Sequence, residues 1–240
     1  MRSEELKRSL SLSKGLKASN LTPKGSVLIV GRCQSNAKHY GDACIRVSPQ
    51  GHPAGVQPSV ASKYMKKLLE KYCAGNEALL EILVSHGESV AGKALEIARR
   101  HPEWDIDLKF LEEAALLHDI GVVRCNAPGI HCNGTEPYIC HGILGAEILR
   151  TEGLEAHAKI AERHTGCGLT ATSIKERNLP LPLDRVLYPI SIEEQIICFA
   201  DKFFSKTHLG EEKPIERIKA SLAKHGQQNI EQFDEWMQRF

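Results

Sequence analysis

The stretch Leu111–Gly121, LEEAALLHDIG, decides how the whole chain is read. Leu111, Ala114, Ala115 and Leu117 fall at helical spacing, so one side of a helix is apolar and faces a core. The run ends on adjacent His118 and Asp119, followed by Ile120 and a stopping Gly121. An imidazole and a carboxylate side by side at a helix end, backed by apolar packing, can be aimed at one buried point. Such a pair suits a metal ion.

Outward from this stretch the pattern stays helical from Ser62 to the end. SKYMKKLLEKY places Met65, Leu68, Leu69 and Tyr72 on one face, and the run after Asn76 does the same with Leu79, Leu80, Leu83, Val90, Ala94, Leu95 and Ala98. Asn76 and Asp107 are the predicted N-caps of the helices carrying His86 and His118. Val122–Pro137, VVRCNAPGIHCNGTEP, is too rich in Gly, Pro and Asn to be regular, and a loop of that length in a helical domain is often functional. Tyr138–Thr151 is helical again, with Gly145 permitting a close helix approach and Gly153 ending it. Leu154–Arg163 follows, then HTGCG and a linker with LPLPLDRVLYP. The helix SIEEQIICFADKFFSKT comes next, and two amphipathic segments, PIERIKASLAKHG and NIEQFDEWMQRF, close the chain.

Residues 1–60 differ. They carry Lys, Ser, Gly and Pro and one β-like run, Ser26–Val30, which has no partner strand, so this extension is predicted to be disordered or loosely docked, with His39 and His52 on its surface. A length of 240 residues suits one domain with an extension, and 42% hydrophobic against 25% charged residues is ordinary for a soluble globular protein. A net charge of +1 gives no sign of a nucleic-acid binder. No run approaches the roughly 18 apolar residues of a membrane helix, so no membrane association is predicted. Glu4 and Glu5 and the lack of an apolar leader point to the cytoplasm. The eight cysteines then read as reduced thiols. Cys125, Cys132 and Cys140, close to His131 and His141, could form a small zinc knuckle, although the paired short spacings of such sites are missing.

The histidines and aspartates on apolar helix faces form an ordered series: His86, His118–Asp119, His141, His164 and Asp201. One such histidine is usually a core residue satisfied by a single hydrogen bond. Four histidines and two aspartates, none with a Lys or Arg partner at helical spacing, need compensation, which a divalent cation supplies. Two cations held this way lower the pKa of a bridging water from 15.7 toward about 7 and take up charge on phosphoryl oxygens. Fe, Mn, Co, Ni and Zn all accept such ligands. Lys202, next to Asp201, could direct a catalytic positive charge at a substrate phosphate or lie solvated on the surface; Arg163, Lys206 and Arg124 are weaker candidates for that role. His131 reads as an exposed loop residue or a substrate contact, and His157 as a partner of the site or a solvated residue. His101, His208 and His225 read as surface, and Cys167 and Cys198 as small packing residues.

The series H…HD…H…H…D resembles the HD superfamily of metal-dependent phosphohydrolases, HDIG type, with His118, Asp119, Ile120 and Gly121 matching the motif letter for letter. The resemblance runs from Leu69 to Thr207. It implies an all-α helical bundle, an HD domain over residues 61–240, behind a poorly structured N-terminal extension. It implies that His86, His118, Asp119 and Asp201 hold one divalent ion and that His141 and His164 complete a second site, with Asp119 bridging the two. The implied reaction is attack of a metal-bridging hydroxide on a phosphoester or phosphoanhydride of a nucleotide or other small phosphorylated metabolite. HGILGAEIL and ERHTG further resemble bacterial members that split diadenosine tetraphosphate symmetrically, whereas APGIHCNGTEPYICHG and residues 1–60 have no counterpart in that pattern. Two alternatives stay open: an HD-fold diiron oxygenase, and a non-catalytic regulatory HD domain.

Overall fold

The helix that carries His118 lies at the centre of the architecture. In a computed structural model that describes residues 60–240, α3 (Leu108–Leu117) starts at Asp107, whose carboxylate accepts from the backbone N–H of Lys109 at 2.9 Å and of Phe110 at 3.0 Å. That satisfies two of the donors a helix start leaves free. Leu111, Glu113, Ala114, Ala115, Leu116 and Leu117 are all buried, because neighbouring helices cover more than one side. These are α1 (Val60–Tyr72) and the long α2 (Glu77–Arg100), which is capped by Asn76 accepting from Leu79 N–H at 3.1 Å. The buried stripe of α2 runs Leu79, Leu83, His86, Val90, Ala94 and Ile97, spacings of three and four that keep one face inward.

The chain continues through α4 (His141–Thr151), α5 (Glu155–Arg163), α6 (Ala171–Glu176), α7 (Ile192–Asp201), α8 (Ile215–Ala223) and α9 (Gln227–Arg239). α4 packs on α5, and α7 lies against α2, α3 and α5. Apolar side chains divide into two main clusters. One joins α1, the first half of α2, α4 and part of α5; the other joins the second half of α2 with α7, α8 and α9. α3 feeds both, with Leu111, Ala114 and Ala115 in one and Leu116 and Leu117 in the other. His86 sits between Leu83 of the first cluster and Val90 of the second, and so lies where the two meet. The all-α expectation holds for residues 60–240; the predicted strand Ser26–Val30, His39, His52 and the rest of the extension lie outside the described residues.

Three local expectations are corrected. The loop after Gly121 is regular in miniature: a 3-10 turn over Ile120–Arg124, then β1 (Asn126–Ala127) paired antiparallel with β2 (Cys132–Asn133) around a second 3-10 turn, Pro128–Ile130. α4 begins at His141, with Tyr138–Cys140 forming a separate 3-10 turn before it. α7 stops at Asp201 instead of running to Thr207. Phe203 instead turns into the core, edge-on to Phe199 at 5.0 Å and near Phe233 at 5.9 Å, so burial of an aromatic outweighs continuation of the helix. Among the described residues six cysteines are free thiols, and no helix is long and apolar enough to cross a membrane.

Candidate metal centre

Five of the six proposed ligands stand at or beside a helix end, where the backbone changes direction and a side chain can point along the helix axis into the core. His118 closes α3, Asp119 opens the 3-10 turn, His141 opens α4, His164 closes α5 and Asp201 ends α7; His86 comes from the middle of α2. Glycine makes the approach possible. A Cβ on Gly121 would lie 2.0 Å from the His141 carbonyl oxygen and 2.3 Å from Gly145 N, so no larger residue lets the HDIG turn rest on the first turn of α4.

Asp119 is the hub. Its Oδ2 lies 3.1 Å from His86 Nε2 and 2.9 Å from His118 Nε2, while its Oδ1 lies 3.5 Å from both His141 Nε2 and His164 Nε2. Asp201 Oδ1 completes the first group, 3.0 Å from His86 Nε2 and 3.5 Å from His118 Nε2. Two sets of potential ligands result, His86, His118, Asp119 and Asp201 on one side and Asp119, His141 and His164 on the other, with ligand atoms in each set within 4.8 Å of one another.

The imidazoles are oriented by the backbone. His118 Nδ1 donates to Ala115 O at 2.7 Å, His141 Nδ1 to Tyr138 O at 2.7 Å and His164 Nδ1 to Ala161 O at 2.8 Å. With the proton on Nδ1, a ring that is neutral turns its Nε2 lone pair inward, as a metal-binding histidine must. The Nε2 atoms of His141 and His164 then face each other at 3.0 Å, two lone pairs that repel unless a cation lies between them. His118 Nε2 and both oxygens of Asp119 are buried without a hydrogen bond of proper geometry. Leaving such atoms unsatisfied costs about 1–3 kcal/mol each, and a divalent cation is the group that fits this donor set.

Electrostatics divide the cluster. Asp119 stays well below the usual carboxylate range, because the charges of His118 and Lys206 outweigh its burial, and Asp201 does so chiefly through Lys202. Burial opposes a charge on His118, but Asp119 and Asp201 hold its pKa up at about 9, so its Nε2 proton has to leave before that nitrogen can ligate a metal. Burial and then His164 push His141 down to about 3, and burial also lowers His164. The two carboxylates thus stay ionised, while His141 and His164 are held neutral.

Lys202, placed by sequence beside Asp201, is inside the centre, its Nζ 2.7 Å from Asp201 Oδ2 and donating to the His164 carbonyl at 3.4 Å. Lys206, ranked lower by sequence, reaches further: its Nζ is 2.6 Å from Asp119 Oδ2. The signal was hidden by the assumption that α7 continues, which would carry Lys206 past the site. Arg163 is paired with Glu194 at 2.8 Å, and Arg124 with Glu147 at 3.2 Å in an exposed pair. His131 is exposed, and its carbonyl accepts from Asn76. His157 is neither solvated nor a partner of the ligands; it is buried against Phe110 with Nε2 3.2 Å from Glu113. The zinc knuckle is not formed: Cys125, Cys132 and Cys140 direct their thiols at separate carbonyls, and neither potential metal group among the described residues contains a cysteine. Cys198 is a buried packing residue whose thiol donates to the His164 carbonyl at 3.2 Å, and burial pushes the Cys167 thiol up to about 11.

Fold and site together define a helical domain built around a buried cluster able to bind divalent metal, the arrangement of a metal-dependent hydrolase. The chain belongs to the HD domain family, whose model matches residues 83–205. It is 36% identical over 143 residues to an uncharacterised protein of Methanocaldococcus jannaschii, across 58% of this chain and 73% of that protein. It is 34% identical over 139 residues to a protein of Thermoplasma volcanium named tRNA (cytidine(56)-2'-O)-methyltransferase, and 32% identical over 126 residues to one of the same name in Picrophilus torridus. These matches cover 58% and 52% of this chain but only 35% and 32% of the two relatives, so the chain spans about a third of their length. No solved structure matches.

Proposed function

We propose that the protein is a metal-dependent phosphohydrolase that cleaves a phosphoester or phosphoanhydride of a small phosphorylated metabolite, nucleotides included. His86, His118, Asp119 and Asp201 would hold one divalent ion, and Asp119, His141 and His164 a second. The observation that carries this reading is the division of Asp119, one carboxylate oxygen turned to each histidine group. Bound divalent ions would supply a water acidified toward about pH 7 and positive charge opposite the phosphoryl oxygens.

The chain's own residues do the rest. The carbonyls of Ala115, Tyr138 and Ala161 keep three imidazoles in the ligating tautomer. Lys202 holds Asp201 in place through Oδ2, leaving Oδ1 toward His86 and His118. Burial of His118 and Asp119 at 0% and 3% exposure keeps bulk water from competing for the ligand atoms and strengthens each electrostatic contact.

The test is metal analysis of the purified full chain, followed by a panel of phosphomonoesters, phosphodiesters and phosphoanhydrides assayed with Mn²⁺, Fe²⁺, Co²⁺, Ni²⁺ and Zn²⁺. Bound metal with metal-dependent phosphate release supports the proposal. Bound iron with a mixed-valence EPR signal, O₂ uptake and no phosphate release would replace it with an oxygenase. Failure to bind metal would leave a regulatory domain.

A further inference from the structure

Two lysines enter the centre from the end of α7, and they are held differently. Lys202 has two partners, Asp201 Oδ2 and the His164 carbonyl, that fix its ammonium beside the ligand shell. Lys206 arrives from the turn that replaces the expected last stretch of α7, with its side chain 13% exposed and its Nζ on Asp119 Oδ2. That contact has ion-pair distance without hydrogen-bond geometry, and Oδ2 is the same oxygen that His86 and His118 approach. A divalent cation on those ligands would claim Oδ2, and an ammonium this buried then needs another anion.

The surroundings of Lys206 show where that anion would lie. Lys206 Nζ lies over the Tyr138 ring, 5.9 Å from its centroid, and that ring stacks on His141 at 4.8 Å with 37% of the residue exposed. The pair thus leads from solvent to the ligand groups. Lys202 and Lys206 match the charge of the two carboxylates before any metal charge is added, so bound divalent ions would leave a positive excess that suits a dianion better than a monoanion.

We propose that Lys206, aided by the Tyr138 hydroxyl, is the phosphate-binding residue of the centre, and that the preferred substrate presents a terminal phosphoryl group, not an internal diester. This rests on the phosphohydrolase reading. Lys206 binds the non-bridging oxygens as a charge-assisted donor, and Tyr138 keeps the ammonium aligned and donates alongside it.

The experiment uses the full chain loaded with Mn²⁺ and compares wild type with Lys206→Met, Lys206→Arg, Tyr138→Phe and, as a control, Lys71→Met, which alters an exposed pair with Glu152. Bound Mn²⁺, calorimetric binding of inorganic phosphate, and kcat and KM for p-nitrophenyl phosphate and bis(p-nitrophenyl) phosphate are measured. Lys206→Met should retain Mn²⁺, bind phosphate about 10- to 100-fold more weakly, and lose more on the monoester than on the diester. Lys206→Arg should recover part of the phosphate affinity, Tyr138→Phe should show a smaller loss, and Lys71→Met should match wild type. Unchanged phosphate affinity in Lys206→Met, whether or not Mn²⁺ binds more tightly, overturns the proposal, as does loss of Mn²⁺ from both Lys206 variants or a wild-type preference for the diester. A wild type that binds no Mn²⁺, or splits neither ester, overturns the phosphohydrolase reading itself and this inference with it.

Discussion

Asp119 stands between two histidine pairs that have no other carboxylate in common, so its removal and the removal of a single histidine should differ in kind. Asp119→Ala takes an oxygen from each group and should abolish metal binding at both and all hydrolysis. His164→Ala touches the second group alone; elemental analysis should then find the first ion kept and the second weakened by tenfold or more. Equal losses in the two variants would show that the groups do not bind separately. His157 permits a pH test away from the ligands. Burial lowers its pKa against the opposing effect of Glu113, so below pH 6.5 the unfolded chain takes up a proton that the native state resists. Stability should fall as the pH drops from about 6.5, by at most about 1.4 kcal/mol per unit from this one group. Urea midpoints at pH 7.5, 6 and 5 should show wild type losing more than His157→Gln; parallel curves would count against a neutral His157. The six residues that cluster at the centre were legible in the sequence because each stands among apolar neighbours where a lone ionisable group has no reason to be. Lys206 was not, because a lysine at a predicted helix surface carries no mark of what it reaches.

Helix starts were read from single residues: Asn76 and Asp107 cap α2 and α3 as their side chains predict. Helix ends were harder. α7 stops at Asp201 because Phe203 finds a place against Phe199 and Phe233, contacts distant in sequence that no local pattern contains. α6 was passed over as linker although Thr170 and Ser173 form a reciprocal cap, because six residues are too few to show a period. The Val122–Pro137 loop hid its β1–β2 pair for the same reason. Gly121 makes the element-scale prediction. Alanine there places a methyl 2.0 Å from the His141 carbonyl, and the 3-10 turn must lift off α4. Gly121→Ala should cost about 3 kcal/mol or more, lower Tm by roughly 10 °C, and loosen the His141 and His164 group before the other. Calorimetry with metal titration measures both effects, and a variant with wild-type Tm would mean that the turn has freedom to yield. Asp107→Ala, which removes only a cap, should cost about 1 kcal/mol and leave metal content unchanged.

At the scale of the molecule, the centre lies where the two apolar clusters meet, and its six clustered side chains come from α2, α4 and α7 and from the ends of α3 and α5. Apolar burial alone can bring those helices together, since each has its own buried face. What it cannot do is satisfy the polar atoms that the helices bring with them: Asp119 and His118 Nε2 are buried without hydrogen bonds, and two imidazole nitrogens face each other at 3.0 Å. The fold therefore carries a local cost at its centre that a bound cation removes, and metal binding should be linked to the stability of the domain as a whole. A ligand present at 100 times its Kd adds about 2.7 kcal/mol, which for a domain of this size is a rise in Tm of roughly 5–10 °C. Chelation of the wild type should lower Tm by that amount in a single cooperative transition, and added Mn²⁺ should restore it. Asp119→Ala should not respond to chelator or metal, although it relieves the buried carboxylate. A wild-type Tm indifferent to chelation would mean that the apolar clusters hold the centre rigid without help, and that the cation serves the chemistry alone.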